Sequence, residues 1–307
     1  TLLSSETYTI HLATYDTNGT ATTDDDSLTD GSETITLTKT VYSENPIFKT
    51  EIFTSNNEKV GYLIYNGFVA DYDAQLNAAF AEFQSQNIQH LILDLRYNPG
   101  GSVNSAASLG SMITGISNGI FAKLQYNNDL QTNNTNYDFT STLSEGVAIN
   151  SLGLNKVFII ATERSASASE MIINSLRPYI EVVHIGSKTV GKSQASVTLY
   201  DSHNFQRQGA NPGHLYALQP LVAITVNKDD LAVPPTGLIP TIEVIESVTN
   251  YGVLGDTNET LLAAALASIQ TGRIAIDTQG IRPILDSNSF KPHSQEMYLD
   301  SFLPFKE

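Results

Sequence analysis

The chain reads as an α/β protein, and three stretches carry that reading. Residues 90–95 and 156–162 are apolar runs of strand length, each followed by a turn of small residues and then a helical pattern. Residues 180–185 return as a third run after the second of those helices. Strands alternating with helices imply βαβ crossovers and an α/β core.

Each element has its own signal. Residues 1–42 alternate in a β fashion on either side of a polar Thr/Asp/Gly stretch at 16–33, and two strands cannot bury much by themselves. They predict the end of a small β module. Asp24, Asp25, Asp26 and Asp30 faintly resemble a calcium loop, but Leu28 occupies a ligand position, which favours a solvated loop. Asn45-Pro46 marks a boundary, and residues 60–65 follow as a strand. Leu76, Ala79, Phe80 and Phe83 share one face of a helix over 73–87, with Asp71 or Asp73 as its cap.

The spacing predicts further helices over 103–114 and from Ala168 to about Arg177, where Pro178 stops the second. A strand at 215–226 and a turn at Pro234-Pro235-Thr236-Gly237 come next. Asp256 and Glu259 form a capping-box pattern for a last helix over 256–269, striped with Leu261, Leu262, Ala265, Leu266 and Ile269. Residues 271–307 have weak periodicity and read as a C-terminal extension, and no internal repeat is visible.

Composition narrows the function classes. With 307 residues, 41% of them hydrophobic, one large domain or a core with an appendage can bury itself. A formal net charge of −16 repels phosphate backbones and argues against nucleic acid. Without cysteine there is no disulfide, thiol nucleophile or Cys-based metal site. No apolar run approaches the ~18–20 residues needed to cross a bilayer. The start shows no signal-peptide pattern and lacks Met, as in a processed chain. Three glycosylation triplets, at Asn18, Asn133 and Asn258, are near chance in so Asn/Thr-rich a chain.

The chemistry centres on Ser167 and Lys192. Ser167 lies in Arg164-Ser165-Ala166-Ser167-Ala168-Ser169-Glu170, and Lys192 closes Thr189-Val190-Gly191-Lys192. A serine hydroxyl needs a base, and a neutral lysine amine can serve when its surroundings keep it uncharged. A helix of ten residues from Ala168 carries the chain ~15 Å away. A six-residue return strand covers ~17–20 Å at about 3.3 Å per residue. The loop 186–192 then brings Lys192 back to Ser167. The serine would stand at a helix N-terminus, where the Ala168 amide can face a developing oxyanion. Asn98-Pro99-Gly100-Gly101 offers a second amide at the same sheet edge, from either Gly100 or Gly101.

Blander readings compete. The serine run could simply pack a helix start, and Gly191-Lys192 could be an ordinary surface turn. Gly115-Ile116-Ser117-Asn118-Gly119 has the form of a nucleophile elbow, but a helical pattern precedes it where a strand is required. The six histidines show no metal-ligand spacing, so no metal or cofactor is expected. Tyr62, Tyr65 and Phe68 could line a peptide groove, but an aromatic strand is more often core.

Three motifs in order resemble the S41 peptidase family of C-terminal processing and tail-specific proteases. They are Leu93-Asp94-Leu95-Arg96-Tyr97-Asn98-Pro99-Gly100-Gly101, Ser165-Ala166-Ser167-Ala168-Ser169-Glu170 and Thr189-Val190-Gly191-Lys192. The resemblance implies Ser167 as nucleophile, Lys192 as base, and a crotonase/ClpP-like α/β core over about 46–270. It also implies that residues 1–45 are a partial PDZ-like segment, that the substrate is a protein or peptide cut near its C-terminus, and that the protein is exported to a periplasm or cell surface. A lipid anchor upstream of residue 1 is consistent with that setting. Some members place a lysine-orienting glutamine four residues after the lysine. Ser196 stands there, so Gln194 shifts into the role, Ser196 substitutes, or the third member is missing. A catalytically silent, peptide-binding relative is the alternative.

Overall fold

The computed structural model describes residues 5–20, 22, 24–247, 250–271 and 297–298. Most of the expected C-terminal extension therefore lies outside the described residues. A six-stranded sheet organises the rest, and its central strands are apolar on both faces because both faces are covered. Its members are β3 (Ile47–Ser55), β4 (Glu58–Tyr65), β5 (His90–Asp94), β8 (Lys156–Ala161), β9 (Glu181–Gly186) and β14 (Ile242–Glu243). The spatial order is β14-β9-β8-β5-β4-β3, parallel throughout except for the β3–β4 hairpin.

Alternation along each strand sorts side chains into two cores. Leu63, Leu91, Leu93, Val157 and Ile159 face α1 (Asp73–Ser85), α2 (Val103–Thr114) and α3 (Ala168–Leu176). Tyr62, Ile64, Ile92, Phe158 and Ile160 face α4 (Thr260–Thr271), which contributes Leu261, Leu262 and Ala265. Burying each such side chain is worth about 1.5–3 kcal/mol, so the sheet is fixed from both sides.

A second sheet has five strands, and no sequence pattern links them into one sheet. It is built from β6 (Ile120–Tyr126), β7 (Thr135–Asp138), β10 (Gln194–Ser196), β13 (Leu221–Val226) and β15 (Met297–Tyr298). Its importance is positional, because β10 begins two residues after Lys192. The strand expected over 215–226 is broken: β12 (Ala217–Leu218) pairs with β11 (Leu199–Tyr200), and Pro220, which has no N–H to donate, separates it from β13.

Two expected helix caps are corrected. Tyr72 precedes α1 without a side-chain cap, and Asp73 is the first helical residue. Asp256 does not cap α4: Glu259 stands before its first residue and receives the Leu261 and Leu262 N–H groups at 3.1 and 3.0 Å. The Gly115–Gly119 stretch is the turn from α2 into β6, helix before and strand after, the reverse of a nucleophile elbow. At the N-terminus, β1 (Thr7–Asp16) and β2 (Ser27–Thr38) form an antiparallel hairpin whose residues are nearly all exposed.

Candidate active site

Three loops at the carboxyl edge of the six-stranded sheet carry the three motifs, and buried polar side chains lace them together. Ser165 Oγ donates to Leu95 O at 2.7 Å, and Thr162 Oγ1 donates to Arg96 O at 2.6 Å. Asn98 anchors the second loop: its Nδ2 donates to Tyr65 O at 2.8 Å, and its carbonyl accepts from Ser169 Oγ at 2.9 Å and Ala166 N at 3.2 Å. The Val190 N–H donates to Ser165 O at 3.2 Å, which brings in the third loop.

Ser167 precedes α3 with φ of 62°, in the left-handed region that a non-glycine residue adopts at a cost of about 1–3 kcal/mol. It is fully buried. Ser167 and Glu170 have capping-box form, yet no partner of Ser167 Oγ lies at hydrogen-bonding distance. Leaving a buried hydroxyl unpaired costs about 1–3 kcal/mol. Strain and an unpaired hydroxyl on one residue point to a task other than packing.

Glu170 holds that geometry. Its carboxylate is fully buried and collects donors from two loops. Oε2 accepts the N–H of Ser167 at 2.9 Å and the N–H of Lys192 at 2.8 Å. Oε1 accepts the N–H of Gly191 at 2.6 Å and the hydroxyl of Thr189. Because one oxygen binds both, the backbone nitrogens of Ser167 and Lys192 can be no farther apart than those two bonds laid end to end. Burial pushes the Glu170 carboxyl above the ordinary carboxylate range. The Thr189 hydroxyl and the Lys192, Gly191 and Ser167 amides pull the other way without cancelling the shift. Lys192 itself is half-buried.

The two glycines of the second loop differ in what their amides do. The Gly100 N–H donates to Asn98 Oδ1 at 2.9 Å. Gly101 bridges to Phe68, and the bonds of that bridge run from Phe68 N–H to Gly100 O and from Ser102 N–H to Phe68 O, so they leave the Gly101 N–H out. Neither position accepts a side chain: a Cβ on Gly100 would lie 2.7 Å from Ser167 Cβ, and one on Gly101 would lie 2.1 Å from Phe68 O. Ala168 opens α3, where first-turn amides have no intrahelical acceptor.

Of the residues considered for orienting the lysine, Gln194 pairs with Ile224 in the second sheet. Ser196 is buried and accepts from Gln219 Nε2 at 3.2 Å. Gln219 also lines a cavity of about 280 Å³ beside Gly100 and Gly101. No local pattern marks Gln219. Glu170 had a signal, the Ser-x-x-Glu spacing of a cap, which concealed its longer-range partners.

Beneath the second loop lies a buried charge cluster. Arg96 binds Asp94 (2.8 Å), Glu259 (2.8 Å) and Glu246 (2.9 Å). Tyr62 donates to Asp94 and Tyr97 to Glu246, at 2.8 and 2.7 Å. Of the histidines, His90 meets Glu58, His214 meets Asp201, and buried His184 is held down to about 4 by desolvation. No group of metal-binding side chains occurs among the described residues.

Residues 59–212, which contain all three motifs, match the model described as Peptidase family S41. The chain belongs to peptidase family S41. Among its S41 relatives, a Staphylococcus epidermidis protein named "Probable CtpA-like serine protease" is 31% identical over 141 residues, 45% of this chain and 26% of that protein. A protein of the same name from Staphylococcus haemolyticus is 25% identical over 236 residues, covering 70% of this chain and 46% of that one. The chain thus spans less than half the length of these relatives. A crystal structure from Bacteroides fragilis assigned to the S41 proteases superposes with a TM-score of 0.70 at 31% identity, over 87% of this chain and 67% of that one. The photosystem II D1 C-terminal processing protease shares the S41 fold, with a TM-score of 0.54 at 17% identity over 76% of this chain and 57% of its own.

Proposed function

We propose that the protein is a serine peptidase in which Ser167 is the nucleophile and Lys192 its general base. The observation that carries this reading is the shared Glu170 oxygen, which ties the backbones of both residues to one atom. The neutral Lys192 amine takes the Ser167 hydroxyl proton as Oγ bonds to the peptide carbonyl carbon. The amides of Ala168 and Gly101 receive the oxyanion, with Gly101 preferred because the Gly100 N–H is committed to Asn98. The protonated amine then hands its proton to the leaving nitrogen, and water, deprotonated in turn by Lys192, releases the acyl group. Ser196 with Gln219 supports the lysine side of the site. Substrates are proteins or peptides cut near their C-termini, in an exported setting. No helix among the described residues is long and apolar enough to cross a membrane.

A second reading, a silent relative that binds peptide, draws on the burial of Ser167 beneath Gly100. For catalysis the 98–101 turn must shift to admit a carbonyl. A fluorophosphonate probe separates the two readings: the peptidase labels at Ser167, and labelling is lost in Ser167→Ala and falls at least 100-fold in Lys192→Ala. An unlabelled wild-type chain, or full labelling of Lys192→Ala, defeats the proposal.

A further inference from the structure

A second cavity, of about 700 Å³, lies beside the first, and nothing so far has given it a role. Consecutive residues line the two: Val69 and Gln219 border the smaller cavity at Gly100 and Gly101, while Ala70 and Pro220 border the larger. The two spaces therefore adjoin along two separate segments of chain. Asn104, Ala107 and Ser108 of the larger cavity stand on the first turns of α2, which begins two residues after Gly101. A groove so placed leads away from the Gly100–Gly101 turn and is within the usual size of ligand sites.

One wall of the groove is the edge of a strand. Every residue of β7, from Thr135 to Asp138, lines the larger cavity. Side chains alternate between the two faces of a strand, so a space touched by four in succession runs along the edge and not over one face. Among the described residues β7 ends the second sheet, with β6 on its inner side. Phe139, the next residue, donates its N–H to Gly119 O at 2.9 Å, toward β6. Backbone amides point to alternate sides along a strand. Thr135 and Tyr137 therefore turn theirs toward β6 as Phe139 does, while Asn136 and Asp138 turn theirs outward, along the cavity. Thr135, Asn136 and Asp138 are exposed, which leaves that edge open to an incoming strand.

We infer that β7 is a docking edge for the substrate: an extended peptide segment adds to it as a further strand, through the N–H and C=O groups of Asn136 and Asp138. Pairing of this kind reads main chain more than side chain, so the groove takes unfolded segments of varied sequence. The inference rests on the peptidase reading for the identity of the occupant, and the pairing is tested without turnover. A fluorescein-labelled hexapeptide of alternating Thr and Val is titrated with the Ser167→Ala chain, and binding is read by anisotropy. A second hexapeptide carries backbone N-methyl groups on its two central residues, which blocks every pair of amides two residues apart while keeping the peptide extended. It should bind at least fivefold more weakly than the parent. Asn136→Pro removes one outward N–H and spares the inward pairing of Thr135 with Leu124 and of Tyr137 with Ala122, at an edge where proline is tolerated. It should weaken binding of the parent peptide at least fivefold. Unfolding midpoints check that the variant is folded, and the N-methyl comparison, which leaves the protein unchanged, decides if it is not. Equal affinity of the two peptides, undiminished binding to a folded Asn136→Pro chain, or no binding of the parent at the highest protein concentration reached overturns the inference. So does a dimer in sedimentation that Asn136→Pro abolishes, since the edge then pairs with a second copy of the chain. Failure of the wild-type chain to react with the fluorophosphonate defeats the peptidase reading instead and leaves the edge to be judged by the titrations alone.

Discussion

Glu170 and Glu259 are buried carboxylates, each at the start of a helix and each accepting backbone amides, yet they titrate in opposite directions. For Glu259, burial raises the pKa, but the Arg96 bonds and charge, with the Leu261 and Leu262 amides, outweigh it and hold the carboxyl below its ordinary value. For Glu170 the donors named above are neutral, three amides and a hydroxyl, and burial prevails. The same residue type thus serves as a static clamp behind the sheet and as a titratable brace between the two loops of the site. A cation in direct contact separates the two behaviours.

The largest effect is expected where the clamp is broken. Arg96→Met leaves Asp94, Glu246 and Glu259 together without their guanidinium, and removing one partner of such a buried cluster costs about 3–5 kcal/mol. The melting temperature should fall on the order of 10 °C for a chain of this size. Urea denaturation and thermal melts check both numbers. A loss below about 1 kcal/mol would mean that the three carboxylates do not depend on the Arg96 charge, and Glu259 would then not be a clamp.

These two regions also mark how far the sequence could be read. The helices 103–114 and 168–177 and the strands around them were legible because their signals are local: apolar runs, Pro178, and small residues at the turns. The same local signals carry the return of the chain from α3 through β9 to the 186–192 loop. The clamp was not legible, since Arg96 finds Glu246 and Glu259 150 and 163 residues away. That same attachment explains why α4 starts at Thr260, later than the Asp256 pattern predicts: the Glu259 side chain is held by Arg96 while it caps the helix. The second sheet escaped notice because its strands are short or only partly apolar, as in Ile120–Tyr126. Gln219 escaped because it sits in the break that Pro220 makes between two strands.

The brace, by contrast, should fail in activity before it fails in stability. Glu170→Gln keeps one acceptor oxygen but turns an NH₂ toward amides that can only donate, a mismatch of about 1–3 kcal/mol. Peptide cleavage by the proposed dyad should drop at least 100-fold, because misplacement of Ser167 against Lys192 would be magnified in the proposed reaction. Acid should act likewise. Protonation of the proposed base, Lys192, sets the first acid loss of kcat/KM, and protonation of Glu170, above the ordinary value of 4.5, adds a second step below it. A raised carboxyl favours the folded state more strongly in its protonated form, so this protonation does not unfold the chain. The stability contributed by Glu259, with its depressed carboxyl, is present above 4.5 and is lost only as pH falls through its lower folded value. A window should therefore exist in which activity is gone while circular dichroism is native. Coincident loss of both on acidification would erase the distinction between brace and clamp.

The smallest change sharpens the comparison most. Thr189 Oγ1 donates to Glu170 Oε1 and accepts the Leu238 N–H at 2.7 Å, so Thr189→Val removes a donor from the carboxylate and an acceptor from a buried amide at nearly constant shape. The second loss costs about 1–3 kcal/mol of stability. The first has a signature that mere destabilisation cannot produce. With one hydroxyl fewer opposing desolvation, the Glu170 carboxyl rises further, and the acid step of kcat/KM that belongs to Glu170, below the one set by the Lys192 base, moves to higher pH while the plateau falls modestly. Thr189→Ser, which restores the hydroxyl without the methyl group, should return that step to its wild-type position. If the step stays fixed in Thr189→Val, a group other than Glu170 governs it, and the carboxylate is then a structural cap with no part in setting the pH range of the site.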